Sequence, residues 1–228
     1  MGAMTDNIKA HQIFGDAAVF TKCRGDKKFA YVVALARAVN ALNSAHSLMQ
    51  LAADKNTPAA TRDQWNSYFF VSAILYESLK LIRAMGAVFG KEKIFQDTIQ
   101  TLLKDKTAQK LEQTHLKATR RDAVFHYLPD RFAEAIAATP LNECLFASFL
   151  GQKRSDIRYD FADIIAAEIG VGGRIDNSVV VNEMMEKTLN LAISFINQSE
   201  KFILDQLNGW GFRGVPGGPV SPENRLRG

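Results

Sequence analysis

The stretch Phe69-Phe70-Val71-Ser72-Ala73-Ile74-Leu75-Tyr76-Glu77-Ser78-Leu79-Lys80-Leu81-Ile82 decides the fold. Apolar or small residues return along one side at Trp65, Phe69, Ser72, Leu75, Tyr76, Leu79, Ile82 and Met85, which is the period of an α-helix and not of a strand. The aromatics Trp65, Phe69, Phe70 and Tyr76 are expected in the core. Thr61 with Gln64 three residues on is a capping-box pattern, and Gly90 is placed to end the helix near Phe89. Upstream, Phe29, Val32, Val33, Ala36, Val39, Leu42 and Ala45 repeat the period from Lys27 to about Ala53, with a loop at Asp54–Pro58. Downstream, helical pattern runs from Lys91 to about Tyr127 with an interruption near Lys104–Thr107. Pro129-Asp130 opens a shorter helix through Ala138. Long helices joined by short loops predict an all-α, antiparallel helical bundle.

The remaining chain reads differently. Residues 141–177 predict an insertion with a small β-hairpin from Leu145–Leu150 and Ile157–Phe161. A short helix follows at Ala162–Ile169, then a glycine loop at Gly170–Gly173. A last long helix covers about Val179–Leu207. Residues 1–26 are an N-terminal segment in which 1–3 look like a cloning remnant, with one short helix around Ile8–Phe20. The domain proper spans 27–208. Residues 209–228 carry six glycines and three prolines and predict a flexible tail. Trp210 and Phe212 in that tail are expected to dock on a partner or on the protein's own surface.

With 228 residues and a hydrophobic fraction of 47%, the chain can fill one substantial core. Arg37, Glu77, Lys80 and Arg83 interrupt its most apolar runs, so no membrane span is expected. Two distant cysteines, Cys23 and Cys144, and no secretory signal predict a reduced, cytoplasmic protein. Histidines at 11, 46, 115 and 126 lack metal-ligand spacing, so no metal and no cofactor is expected.

One segment concentrates chemistry: Arg120-Arg121-Asp122-Ala123-Val124-Phe125-His126-Tyr127. An arginine four or five residues before a histidine is common by chance, so the neighbours carry the specificity. Asp122 and His126 are i, i+4 and share a helix face, where the carboxylate can fix the imidazole tautomer or raise its pKa. Arg121 offers a planar fork to a phosphate. Phe125 and Tyr127 can pack the histidine or stack a base. From Leu102 to Arg121 six basic residues face two acids, an excess of four that equals the whole chain's +4. Such a stretch attracts polyanions. Arg37, Asn40 and Ser44 repeat along an otherwise apolar helix. They predict either a polar cleft with Glu77 or a buried Arg37–Glu77 salt bridge, the latter favoured.

The run Arg-Asp-x-x-Phe-His-Tyr followed by Pro129-Asp130 resembles the signature of the HEPN superfamily, an arginine, a polar residue and a histidine a few residues on. The helices containing Leu35–Asn40 and Phe69–Lys80 are similar to the first two helices of HEPN-like proteins related to abortive-infection factors. The likeness covers about residues 27–138. It implies a homodimer whose paired motifs form a metal-independent endoribonuclease, in phage defence or a toxin–antitoxin system with an antitoxin as partner. Carried over, Arg121 binds the scissile phosphate, His126 is general acid or base, and Asp122 orients its neighbours. Arg120, Lys117 and Tyr127 contact RNA. The alternative is a HEPN-like scaffold that binds RNA, a nucleotide or a protein partner without cutting.

Overall fold

The structure is a computed structural model that describes residues 11–14, 17–54, 59–125, 128–138, 148–149, 157–158, 160–172 and 178–216. It is an all-α bundle with two short two-stranded sheets. The long helices are α2 (Lys27–Ala53), α3 (Ala59–Phe89) and α9 (Ser178–Gly209). Asp26 caps α2 by accepting the Lys28 backbone N–H at 2.7 Å, which satisfies a donor the helix itself leaves open. α2 and α3 pack along each other, and Ala34, Ala41, Ala73 and Leu81 line a groove between them. α9 lies across both.

The main core follows the apolar period. Leu35, Val39 and Leu42 of α2 meet Leu75, Leu79 and Ile82 of α3 and Leu191, Phe195 and Phe202 of α9. Each fully buried side chain of this kind contributes about 1.5–3 kcal/mol. Phe202 sits edge-on to Phe89 at 5.1 Å and to Phe95 at 5.7 Å, and so joins the end of α3 to the short helix α4 (Lys93–Asp97). Next comes α5 (Ile99–Lys104), and the chain breaks at Asp105, inside the expected interruption. Asp105 then caps α6 (Lys106–Leu111) through the Ala108 N–H at 2.9 Å.

α6 does not stop at Leu111. The helix continues over 106–125 through two π-helical segments, Glu112–Leu116 and Thr119–Phe125. Wider turns of this kind are rare and recur at functional sites. Here they let consecutive residues, His115 and Leu116, both point inward. α7 (Pro129–Ala138) and α8 (Asp160–Val171) pack against this helix and against each other. A second, smaller core forms there from Tyr68, Phe69, Ala166 and Ala167, with Trp65, Val124 and Phe132 at its edge.

The hairpin is present as β2 (Ser148–Phe149) paired antiparallel with β3 (Ile157–Arg158). Elsewhere the ends of the chain depart from the sequence reading. Instead of one helix around Ile8–Phe20 there is a strand β1 (His11–Phe14), then α1 (Ala17–Cys23). The expected flexible tail begins with β4 (Arg213–Pro216), antiparallel to β1 with His11 opposite Pro216. Trp210 and Phe212 explain the order. Trp210 packs edge-on to Phe29 at 5.2 Å, and Phe212, 6% exposed, packs on Phe20 and Phe29. They dock on the protein's own surface. Residues 217–228 lie outside the described residues. Smaller departures occur inside the bundle. α3 starts at Ala59, so Thr61 lies inside its first turn and is not its cap. Gly170 and Val171 are the end of α8, not a loop. Phe70, expected in the core, is 48% exposed.

Candidate functional site

The second π-helical segment carries Arg120, Arg121 and Asp122. The burial rhythm of this helix sets their directions: Ala108, Leu111, His115, Thr119 and Asp122 point inward, and the arginines that flank Asp122 reach the surface. Asp122 is buried, with its carboxylate at the floor of a cleft. Arg121 grips it with both ends of its guanidinium: Nε donates to Oδ1, and Nη2 donates to Oδ2 at 2.9 Å. Arg131, from the first turn of α7, approaches the same carboxylate with Nε at 3.5 Å. One buried anion therefore holds two guanidinium groups from two elements. The hydrogen bonds from Arg121 raise its pKa further above the ordinary arginine value, so it stays charged at any working pH.

Arg120 lies on the other flank of the helix, its Nε 2.9 Å from Glu77 Oε1 on α3. Lys80 donates to the other oxygen of Glu77 at 3.1 Å. The buried Arg37–Glu77 bridge expected from the sequence is not formed: Arg37 is exposed, and Glu77 serves Lys80 and Arg120. Arg37 and Glu77 do share a groove of about 370 Å³ between α2 and α3, but its floor is apolar and small, with Ala34, Ala38, Ala41 and Ala73. Asn40 points to solvent, and Ser44 donates to the Asn40 carbonyl at 2.9 Å. The polar cleft of the sequence reading is thus an alanine groove with one charge of each sign. Lys117 is exposed. His126 and Tyr127 lie outside the described residues. Asp122 is bound by Arg121 and Arg131, and the expected Asp122–His126 pair lies outside the described residues.

The cleft above Asp122 has a volume of about 330 Å³ and lies between the π-helical turns, α7 and α8. Arg131, Glu134 and Glu168 line it with Asp122. Glu134 accepts a hydrogen bond from Arg131 at 2.6 Å. Glu168 is buried, 3% exposed. Among the described residues no cluster of three or more histidine, cysteine, aspartate or glutamate side chains could hold a metal ion.

Beneath the arginines lies a polar network that the sequence reading did not single out. His115 is 1% exposed and stacks on Tyr68. Its Nδ1 is 2.5 Å from the Gly170 carbonyl, which can only accept, so Nδ1 carries the proton. Nε2 then accepts from the Tyr68 hydroxyl at 2.6 Å. Thr188 on α9 adds a 3.3 Å contact to the same hydroxyl while donating to the Met184 carbonyl. Burial pushes the His115 pKa down and pushes the Tyr68 pKa up to about 12. Both are therefore neutral near pH 7, and both are satisfied. A Cβ added at Gly170 would stand 3.3 Å from Thr119 Oγ1, a tight contact to which the threonine side chain would have to yield by a few tenths of an ångström. The imidazole, seven residues before Asp122, ties its own helix to α3 and α8, and α9 joins the network through Thr188 and the Tyr68 hydroxyl. The signal available in the sequence was the position of His115, on the same face as Ala108, Leu111 and Thr119.

Comparison of the chain with protein-family models, with curated proteins and with solved structures gave no match.

Proposed function

We propose that the chain is a HEPN-like, metal-independent endoribonuclease that works as a homodimer. The observation that supports this best is the buried Asp122 carboxylate, bound by both Arg121 and Arg131, at the end of a basic helix and four residues before His126. Two guanidinium groups fixed side by side match the non-bridging oxygens of a phosphodiester. In this reading Arg121 binds the scissile phosphate. His126 takes the proton from the ribose 2′-hydroxyl, or gives one to the departing 5′-oxygen, and its partner in the second subunit does the other. The 2′-oxygen forms a bond to phosphorus as the bond to the 5′-oxygen breaks. The products are a 2′,3′-cyclic phosphate and a 5′-hydroxyl. The alanine groove between α2 and α3 adjoins Arg120 through Glu77 and suits close approach by a second copy. Phage defence, or a toxin restrained by an antitoxin, is the setting that goes with this reading.

A specific observation favours the second reading, a scaffold that binds RNA, a nucleotide or a protein without cutting. Each motif arginine already has an acid partner, Arg120 with Glu77 and Arg121 with Asp122. Incubation with mixed RNA in EDTA separates the two. The nuclease reading expects cleavage by the wild type that is lost in His126→Ala and in Arg121→Ala with the helical spectrum intact. RNA binding without cleavage in all three belongs to the scaffold.

A further inference from the structure

The outward ridge of the 106–125 helix is more basic than its sequence suggests. Lys106, Lys110 and Lys117 are all exposed, and with Arg121 they fall between the inward positions 108, 111, 115, 119 and 122. They therefore share the solvent side of one helix, over roughly 20 Å at 1.5 Å per residue. Of the two acids of this stretch, only Glu112 is neutralised by a cation of another element. Asp105 is occupied as the cap of α6. Glu112 is turned to α3, where it accepts both arms of the Arg83 guanidinium, from Nη1 at 2.5 Å and from Nη2. Among the described residues none of the three lysines has an ion pair, whereas Lys28, Lys80 and Lys187 are each bound to a glutamate.

The ridge starts beside a groove of about 470 Å³ between α5, α6 and α9. Thr101, Thr107, Asn190, Ser194 and Gln198 line it, with Lys187 at its edge. With them stand the Asp105 carboxylate, Leu102 and Leu191; the hydroxyl and amide groups suit sugar hydroxyls. Lys110 faces the same region. The Lys187 hydrogen bond holds the Glu183 carboxyl below its ordinary value, and the Lys110 charge acts in the same direction.

We infer that this groove and the lysine ridge form a track for single-stranded RNA, which enters between α5 and α9 and runs along Lys106, Lys110 and Lys117 to Arg121. The inference rests on the reading of the arginine cleft as an RNA site, and it extends that site from one phosphate to several. The groove is lined without aromatic side chains, so recognition is of backbone and sugar, and sequence preference is weak. An A-form duplex carries its phosphates on a fixed spiral, whereas a single strand can follow a straight row of charges, so a single strand is the expected ligand.

The test is binding of fluorescent uridine oligomers to the full chain across a range of salt concentrations. On a single strand each neutralised phosphate contributes a slope of about −0.7 in log affinity against log salt. Four cations give about −2.8 for a 20-mer, and Lys106→Gln with Lys110→Gln should reduce this to about −1.4. Lys22→Gln with Lys91→Gln, exposed lysines outside the ridge, should leave the slope unchanged. If the 20-mer binds but its slope survives loss of Lys106 and Lys110, the track is overturned and the arginine site stands. If duplex RNA binds as well as the single strand, the track is also overturned. If the wild type binds no RNA and associates instead with anionic vesicles, the track and the RNA site fail together.

Discussion

At the scale of single residues the molecule is organised around two buried polar groups, and they behave oppositely. Asp122 is a buried carboxylate satisfied by cations, and its charge is what holds them. Asp122→Asn would place amide donors against guanidinium donors. It should cost about 1–3 kcal/mol, read as a lower urea midpoint with an unchanged slope. His115 is buried neutral, so its linkage has the opposite sign from a paired histidine. In the folded chain its pKa lies below the ordinary 6.5. Below pH 6.5 the unfolded chain takes up a proton that the folded chain excludes. The contribution is fully present above that pH and is lost as pH falls toward the folded value, at no more than about 1.4 kcal/mol per unit. Between pH 6.5 and 5 the wild type should lose stability in a way that His115→Gln does not. Tyr68→Phe removes the donor to His115 Nε2 and should lower stability by about 1–3 kcal/mol at pH 7, again by urea titration.

At the scale of elements, periodicity was legible in the sequence. α2 and α3 declare themselves because their apolar positions recur through seven turns, and α7 because Pro129 fixes its first turn. The break at Asp105 was visible too, since an aspartate there is a natural cap for α6. The π-helical turns were not visible. A single-residue widening leaves each short window looking α-helical, and only the consecutive burial of His115 and Leu116 betrays it. The β1–β4 pair was illegible because its partners are two hundred residues apart, and composition marks glycine- and proline-rich ends as loose. Phe212 anchors that end through non-local ring contacts, which no local pattern encodes. Within the candidate site, Arg121 and Asp122 were found from their neighbours, but Arg131 was not, because its tie to Asp122 crosses from α7. The element interface that carries most is the one built on Phe202. Phe202→Ala should cost about 3–5 kcal/mol in urea or thermal unfolding, since Phe89 and Phe95 cannot both close over the cavity.

At the scale of the whole molecule, no helix among the described residues is long and apolar enough to cross a membrane. Two cores share one bundle, and the smaller one supports the arginine cleft through α7, α8 and the π-helical turns. The proposed homodimer is assigned the α2–α3 groove lined by Ala34, Ala38, Ala41 and Ala73 as its contact. Ala38→Arg, half-buried at that groove, should convert a dimer to a monomer in sedimentation velocity while the helical spectrum is retained. It should also lower RNA cleavage by at least tenfold, because one subunit then supplies only half the motif. A monomeric wild type would remove the composite site.

In the proposed reaction the Arg121–His126 segment cuts RNA by internal attack of the 2′-hydroxyl. Mass analysis of the ends left on a defined single-stranded RNA after incubation in EDTA tests it most directly. The expected result is a 2′,3′-cyclic phosphate on one fragment and a 5′-hydroxyl on the other, with neither formed by His126→Ala. Fragments bearing a 5′-phosphate, the same ends from His126→Ala, or intact RNA with the wild type would contradict it.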